Sequence, residues 1–375
     1  MATTSIKTAK QAEIVGEKTN NNMKKGQSIH ITTHLMGKEE VFKMLALAHA
    51  AKLPVLLVGE PGVAKTNTVL DYAATGYDLS TVEGLESYEN DVYILETDEG
   101  TKSTEIKGRL NMREFVQNQN WSMNTPAANA KYVVINEVDK ASSGMRNSLL
   151  GMMNEKVLFN GEAKVPCQWK LFVATCNEIP KDEVGSPFWD RFILKMKVTR
   201  MSQALLEKYF NSGDKKYTEN YTLYIPTEEE INAVKLPGFK LKAFLNLAYK
   251  DLSDRTLSYV PRLVKIASLV YNTRIDSALV KVASILIGEH AANTLSKSLI
   301  TPEMKTIFDK IDLIPGIKDK KQYDSVMEEV NLLINSFRKS NKLNDDQIME
   351  LREVLKEVET NSPFGLELVD DTEEE

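Results

Sequence analysis

Lys65 and Thr66 are the residues of this chain best placed to do chemistry. They close a stretch in which an apolar run, Pro54 to Val58, stops at a loop bearing Gly59 and Gly62, and a helical pattern from Asn67 to Tyr72 follows. A strand, a glycine-bearing loop and a helix start in that order can hold a nucleoside triphosphate. Backbone N–H groups of the loop and of the helix N-terminus point at phosphate oxygens, where the helix dipole also favours anions. Gly59, Glu60, Pro61, Gly62, Val63, Ala64, Lys65, Thr66 and Asn67 would form the cradle. Lys65 would reach the β- and γ-phosphates, and the Thr66 hydroxyl would sit on Mg²⁺. One position departs from the general pattern G-x4-G-K-[ST], because Ala64 stands where the second glycine belongs. Taken alone, the stretch could still be a chance strand-turn-helix.

Four later segments bear on the same chemistry. The apolar run Tyr132 to Ile135 delivers Asn136 and Glu137 at its C-terminal end. In a phosphate-loop ATPase the first position is an Asp that holds Mg²⁺, and the second a Glu that polarises the attacking water. Asn136 can still accept a hydrogen bond from a metal-bound water, but it brings no negative charge, so weaker metal binding and slower turnover are expected. A second run, Leu171 to Thr175, leads to Asn177, whose amide could stand between attacking water and γ-phosphate; strands also end in Asn for turn reasons. Arg191 follows Phe188, Trp189 and Asp190, and is a candidate for the cation that neutralises charge on a transferred phosphoryl group. A structural pair with Asp190 is the alternative. Pro261-Arg262 reads as a helix start that would aim a cation at a cleft between domains.

These residues must be positioned by alternating elements. β-like runs at 54–58, 92–95, 132–135, 170–175 and 193–198 alternate with helical segments, which predicts a parallel sheet with helices on both faces. Ligands in such sheets bind at the carboxyl ends of the strands. After Met201 the pattern becomes helical, with helices expected over 260–272, 276–297, 302–311, 321–338 and 345–359. Thr301-Pro302-Glu303 is a helix N-cap with Pro at the first helical position. The last two helices carry apolar stripes, Tyr323/Val326/Val330/Leu333/Phe337 and Ile348/Leu351/Leu355/Val358, suited to an antiparallel pair; packing inside the helical region and an arm for a partner are both open. The polar residues 1–27 read as a tail with order beginning near His30, and the acidic run 363–375 as a solvated tail or a docking site.

Composition sets the outer bounds. At 375 residues the chain can build more than one core, and 42% hydrophobic with 27% charged residues is ordinary for a globular protein. A net charge of −6 argues against a protein whose main task is neutralising nucleic-acid phosphates. Two cysteines, Cys167 and Cys176, are too few for a disulfide framework, and the four histidines show no zinc spacing. No stretch approaches the ~18 apolar residues of a membrane span, and no signal-peptide pattern opens the chain. A reduced, cytoplasmic protein is expected.

Order and spacing join these segments. Gly59 to Asn136 is 77 residues, Glu137 to Asn177 is 40, Asn177 to Arg191 is 14, and Arg191 to Arg262 is 71. With Gly-x-Pro-Gly-x-Ala-Lys-Thr, Asn136 to Ala141, Ala174-Thr-x-Asn177, Asp190-Arg-Phe192 and Pro261-Arg262, the chain resembles the AAA+ ATPases, and among them the MoxR family. Ala64 is a residue that this resemblance expects; Asn136, where the family has Asp, is a departure. Gly37 to Glu40, Thr104 to Gly108 and Asn147 to Glu155 sit where the family has comparable segments, so that the resemblance spans about 30–275. It implies a P-loop core with a parallel five-stranded sheet between helices, an α-helical lid and, here, a helical C-terminal extension. The boundaries implied are a tail 1–27, core 28–200, lid 201–298, extension 299–362 and acidic tail 363–375. It also implies ATP and Mg²⁺ as cofactors, with Thr66 and Asn136 at the metal, Glu137 catalytic, Asn177 and Arg262 as first and second sensors, and Arg191 as a finger reaching a neighbour's nucleotide. A homo-oligomeric ring, by resemblance a hexamer, would follow. The activity implied is a chaperone-like motor on a protein client, often with a von Willebrand factor A-domain partner. A slowly hydrolysing ATP-gated switch is the alternative that Asn136 favours, and a nucleic-acid motor the one that net charge disfavours. The segment 102–123 with Trp121 and the hairpin-like 156–169 with Trp169 are candidate pore elements, or ordinary packing.

Overall fold

The computed structural model describes residues 25–364 apart from 111, 113–115, 118–122, 161–162, 184, 212–217, 300, 318, 344 and 363. The chain enters through strand β1 (Gln27–Thr33) and helix α1 (Glu39–Ala51). It then runs through β2 (Val55–Val58), α2 (Lys65–Ala73), β3 (Val92–Glu96), β4 (Tyr132–Asn136), a hairpin of β5 (Val157–Asn160) and β6 (Ala163–Pro166), β7 (Leu171–Cys176) and β8 (Leu194–Lys197). The five apolar runs expected as strands form one parallel sheet in the order β8-β2-β7-β4-β3.

The sheet's central strands are apolar on both faces, as a parallel sheet covered on each side by its crossover connections requires. Alternate residues of a strand point to opposite sides. Val55, Leu57, Val134 and Val173 therefore enter one core, while Leu56, Val133, Ile135, Phe172 and Ala174 enter the other. The second core also takes Trp169, whose indole N–H donates to the Met152 carbonyl at 3.0 Å. Trp169 is thus a packing residue. Trp121 lies outside the described residues, as do residues 1–24 of the expected tail and most of the acidic run.

The first core continues into α3 (Glu228–Ala233), α4 (Gly238–Ala248), α5 (Asp254–Val270), α6 (Ile275–Leu286) and α7 (Glu289–Leu299), through Ile231, Phe244, Val260, Leu263, Val264, Leu279 and Leu295. Thr227 and Glu230 close a reciprocal capping box at the start of α3. Three features differ from the sequence expectation. Residues after 201 are not all helical, because β9 (Glu219–Ile225) pairs antiparallel with β1 from Gln27 to Thr33. The expected helix 276–297 is two helices separated at Gly288, whose φ of 111° no L-residue adopts comfortably. Pro261 is not at a helix start but inside α5. The start is set upstream by Ser253, whose hydroxyl accepts from the Thr256 amide.

The C-terminal helices α8 (Pro302–Ile311), α9 (Lys320–Lys339) and α10 (Asp345–Asn361) have a core of their own. Thr301 caps α8 as its sequence predicts. The apolar stripes of α9 and α10 pack on each other and on Met304, Ile307 and Ile311, so these faces are used within the chain. A buried charge cluster ties this unit to the preceding helices. Lys240 on α4, 1% exposed, pairs with Asp276 on α6 at 2.6 Å and with Glu350 on α10. Removing one partner would strand a buried charge, at a cost of about 3–5 kcal/mol. His49 is also structural: it hydrogen-bonds the Tyr72 hydroxyl at 3.0 Å, and burial pushes its imidazole pKa down to about 4.

Candidate functional site

Three neighbouring strands, β2, β7 and β4, end side by side and deliver the expected residues to one edge of the sheet. The loop after β2 is held down by Gly59 N–H donating to the Cys176 carbonyl at 3.1 Å and by Val198 N–H donating to the Val58 carbonyl at 2.7 Å. A Cβ on Gly59 would meet the Val198 carbonyl oxygen at 2.3 Å, so only glycine fits there. Gly62 has φ 81°, and Ala64 takes the left-handed conformation at φ 64°, ψ 33°. That conformation explains why glycine is the general choice at position 64, since a Cβ costs about 1–2 kcal/mol there. Ala64 is also the residue before α2 and offers no side-chain cap. The first amides of α2 thus have no competing acceptor and suit an anion.

Lys65 folds back over the loop. Its ammonium donates to the Gly59 carbonyl at 2.5 Å, to the Glu60 carbonyl at 3.0 Å and to Asn177 Oδ1 at 3.4 Å. Burial lowers its pKa. A phosphate at the loop would supply stronger, charged acceptors in place of these carbonyls.

The Thr66 hydroxyl donates to Asn136 Oδ1 at 2.9 Å, and the Thr175 hydroxyl donates to the same oxygen at 3.1 Å. Asn136 is 2% exposed, and its amide nitrogen donates to Glu96 Oε1 at 2.6 Å. Among the described residues no group of three His, Cys, Asp or Glu could hold a metal by itself. The donors present fit Mg²⁺ in another way. Thr66 Oγ1 and Asn136 Oδ1 are hard oxygens at one point, and Mg²⁺ takes most of its remaining ligands from phosphates and water.

Glu137 has φ 56° and ψ 40°, an unusual conformation for a side-chain-bearing residue. It is held by the Thr97 hydroxyl, which donates to the carbonyls of Asn136 and Glu137 at 2.8 Å each. Its carboxylate pairs with Lys140 at 2.7 Å, and this contact raises the Lys140 pKa. Beside the loop a cleft of about 390 Å³ is lined by Gly59, Glu60, Val63, Lys197, Val198, Thr199 and Arg200.

The two other arginine assignments fall elsewhere. Arg191 follows a short helix (Pro187–Asp190) and its Nη1 donates to the Pro187 carbonyl at 2.9 Å. Among the described residues no ion pair joins it to Asp190, and Phe188, Trp189 and Phe192 beside it are buried. Arg262 does not reach the phosphate loop of its own chain. It pairs with Glu228 at 2.8 Å, and Glu228 also pairs with Lys52 at 3.3 Å. Lys52 precedes β2, whereas the loop follows β2, so this cluster lies at the opposite end of that strand. Sequence reading aimed Arg262 at the cleft because it took Pro261 for a helix start; within α5 the side chain is instead committed to α3. Glu96 and Thr97 were missed, though their position at the carboxyl end of the 92–95 run was a usable signal.

A family model described as the MoxR domain in the MoxR-vWA-beta-propeller ternary systems matches residues 21–235, more than half of the chain. The chain belongs to the MoxR family of AAA+ ATPases. This MoxR chain is 22% identical over 367 residues to an uncharacterised protein of Methanocaldococcus jannaschii, covering 88% of itself and 93% of that protein. It is 29% identical over 190 residues to a structural protein of Acidianus two-tailed virus, covering 48% of itself and 29% of that protein. Among solved structures, a protein described as an ATPase from Cytophaga hutchinsonii superposes with a TM-score of 0.46 at 17% identity, over 67% of this chain and 81% of that one. No helix among the described residues of this MoxR chain is long and apolar enough to cross a membrane.

Proposed function

We propose that this chain binds ATP with Mg²⁺ at the Gly59–Asn67 loop, hydrolyses it, and uses the cycle as a ring-shaped motor that remodels or assembles a protein client. The observation that carries this reading is the meeting of Lys65 and Thr66 with Asn136, Glu137 and Asn177 at the ends of three adjacent strands. Lys65 and the loop amides hold the phosphates. Mg²⁺, when bound, neutralises phosphate charge, with Thr66 and Asn136 holding it. Glu137, released from Lys140, orients and deprotonates the attacking water, and Asn177 fixes that water against the γ-phosphate. The cleft beside the loop, with Val63 and Val198 in its wall, accommodates the nucleoside.

Arg191 acts on the nucleotide of the next subunit, an assignment that requires a ring, whereas Arg262, paired with Glu228 away from its own loop, has no part in this reading. We read 28–200 as the core, 201–298 as the lid and 299–362 as the extension. The matched family description names a vWA and a β-propeller component, which makes a von Willebrand factor A-domain protein the leading partner. Asn136 favours a second reading, an ATP-gated scaffold with slow turnover.

Light scattering on the Glu137→Gln chain tests the ring. In Mg²⁺ and ATP the mass should rise to about six times that of the 42.2 kDa chain and fall when nucleotide is removed. A monomer under both conditions would contradict the shared site.

A further inference from the structure

Asn136 is the one member of the site whose chemistry is wrong for its place, since a neutral amide stands where a metal site wants negative charge. The structure puts a carboxylate directly behind it. In the parallel pairing of β3 with β4, Glu96 is in register with Asn136, and both residues end their strands. Glu96 Oε1 accepts from Asn136 Nδ2 at 2.6 Å.

We propose that Glu96 is a positioning residue that supplies, through the Asn136 amide, the negative charge missing from the Mg²⁺ site. This rests on the reading of the loop as an ATP·Mg²⁺ site. A carboxylate only accepts, so it can face only the NH₂ side of the amide. The pairing therefore fixes which way Asn136 points, with Oδ1 turned to Thr66 at 2.9 Å and to Thr175 at 3.1 Å. A charged acceptor on the NH₂ group also polarises the amide and makes its oxygen a better ligand, either for the metal or for metal-bound water. The logic is that of a carboxylate behind a metal-binding histidine, where loss of the outer partner weakens metal binding about 10–100-fold. The Glu137 carboxylate is occupied by Lys140 at 2.7 Å. Asn136 itself is buried, which limits solvent screening between amide and metal, whereas Glu96 is exposed at the strand end and keeps its hydration.

The arrangement predicts an unusual pattern among variants. Glu96→Gln keeps the side-chain shape and an acceptor oxygen but loses the charge. Asn136→Asp alone sets two carboxylates against each other, so the gain from an added ligand charge is offset by their repulsion. Asn136→Asp combined with Glu96→Gln moves the single charge onto the metal-facing side chain itself.

The experiment is a titration of Mg²⁺ into each chain with a fluorescent, non-hydrolysable ATP analogue, with a parallel analogue titration in EDTA. The concentration of Mg²⁺ giving half of the metal-dependent tightening should rise about 10-fold or more in Glu96→Gln, and return to the wild-type value or below in the double variant. Thermal unfolding of each variant without nucleotide checks that the strand end is intact, and Glu96→Asp, a shorter carboxylate, should lie between wild type and Glu96→Gln. An unchanged Mg²⁺ requirement in Glu96→Gln, with Asn136→Asp tightening it equally in both backgrounds, would overturn the role of Glu96 while leaving the loop assignment standing. Absence of analogue binding by the wild type, with or without metal, would instead overturn the loop assignment, and this proposal with it.

Discussion

Arg191→Ala should lower ATP turnover by about 10³–10⁵-fold while leaving ATP binding within a few-fold of wild type. The size of the effect follows from where a guanidinium would act, on charge that develops on the transferred phosphoryl and is absent when ATP merely binds. The base of the arm is rigid, since Phe188, Trp189 and Phe192 are 6%, 1% and 1% exposed and Phe188 packs edge-on against both other rings. Two other arginines near this edge are already committed. Arg146 donates to Glu183 at 2.5 Å and to the Asp139 carbonyl at 2.6 Å, and lies over the rings of Phe188 and Trp189. Arg200 is paired at 2.8 Å with Glu60 of its own loop. Steady-state phosphate release measures the effect. Mixing the Arg191→Ala chain with a Lys65→Ala chain, each inactive alone, should recover part of the activity, because some interfaces then pair an intact Arg191 with an intact loop. Substantial turnover by Arg191→Ala alone would place the finger at Arg200 or Arg146.

Glu137→Gln should reduce the chemical step by about 10²–10⁴-fold, the usual contribution of a positioned base, and should accumulate ATP on the ring. Glutamine keeps the length of the side chain and its hydrogen bonds to neighbours but cannot take a proton. The left-handed backbone at Glu137, clasped by Thr97, is a strained conformation that the surrounding strands maintain. The Glu137 carboxylate is paired with Lys140 at 2.7 Å. Single-turnover measurement with radiolabelled ATP separates the slowed step from product release. If Glu137→Gln releases phosphate at the wild-type rate, the base is another residue.

Much of this was legible from residue order. Apolar runs of four to six residues bounded by glycine, asparagine and charge gave strands whose ends fall within a residue or two of those expected. The conformation of the Gly59–Asn67 loop was legible because its requirements are local: Gly59 is needed against the Val198 carbonyl, and Lys65-Thr66 open a helix. The remainder depends on contacts between distant segments. Strand β9 is stabilised by β1, nearly two hundred residues away, and its own alternation is weak beside the helices around it. Pro261 misled because proline favours a helix's first turn; here the buried face of α5, including Val260, Leu263 and Val264, outweighs the loss of one backbone donor. Glu96 was invisible as a partner of Asn136 because the register of β3 against β4 is a tertiary fact, not a spacing.

Every step proposed above depends on the Gly59–Asn67 loop binding ATP·Mg²⁺. Isothermal titration of ATP with Mg²⁺ into the Glu137→Gln chain, with and without Lys65→Ala, tests it most directly. Saturable binding, up to one ATP per chain, is expected in the first case, and binding weakened by at least about 10-fold in the second, the loss of one or more charge-assisted hydrogen bonds to phosphate. Equal affinity in the two chains, or no binding by either, would contradict it.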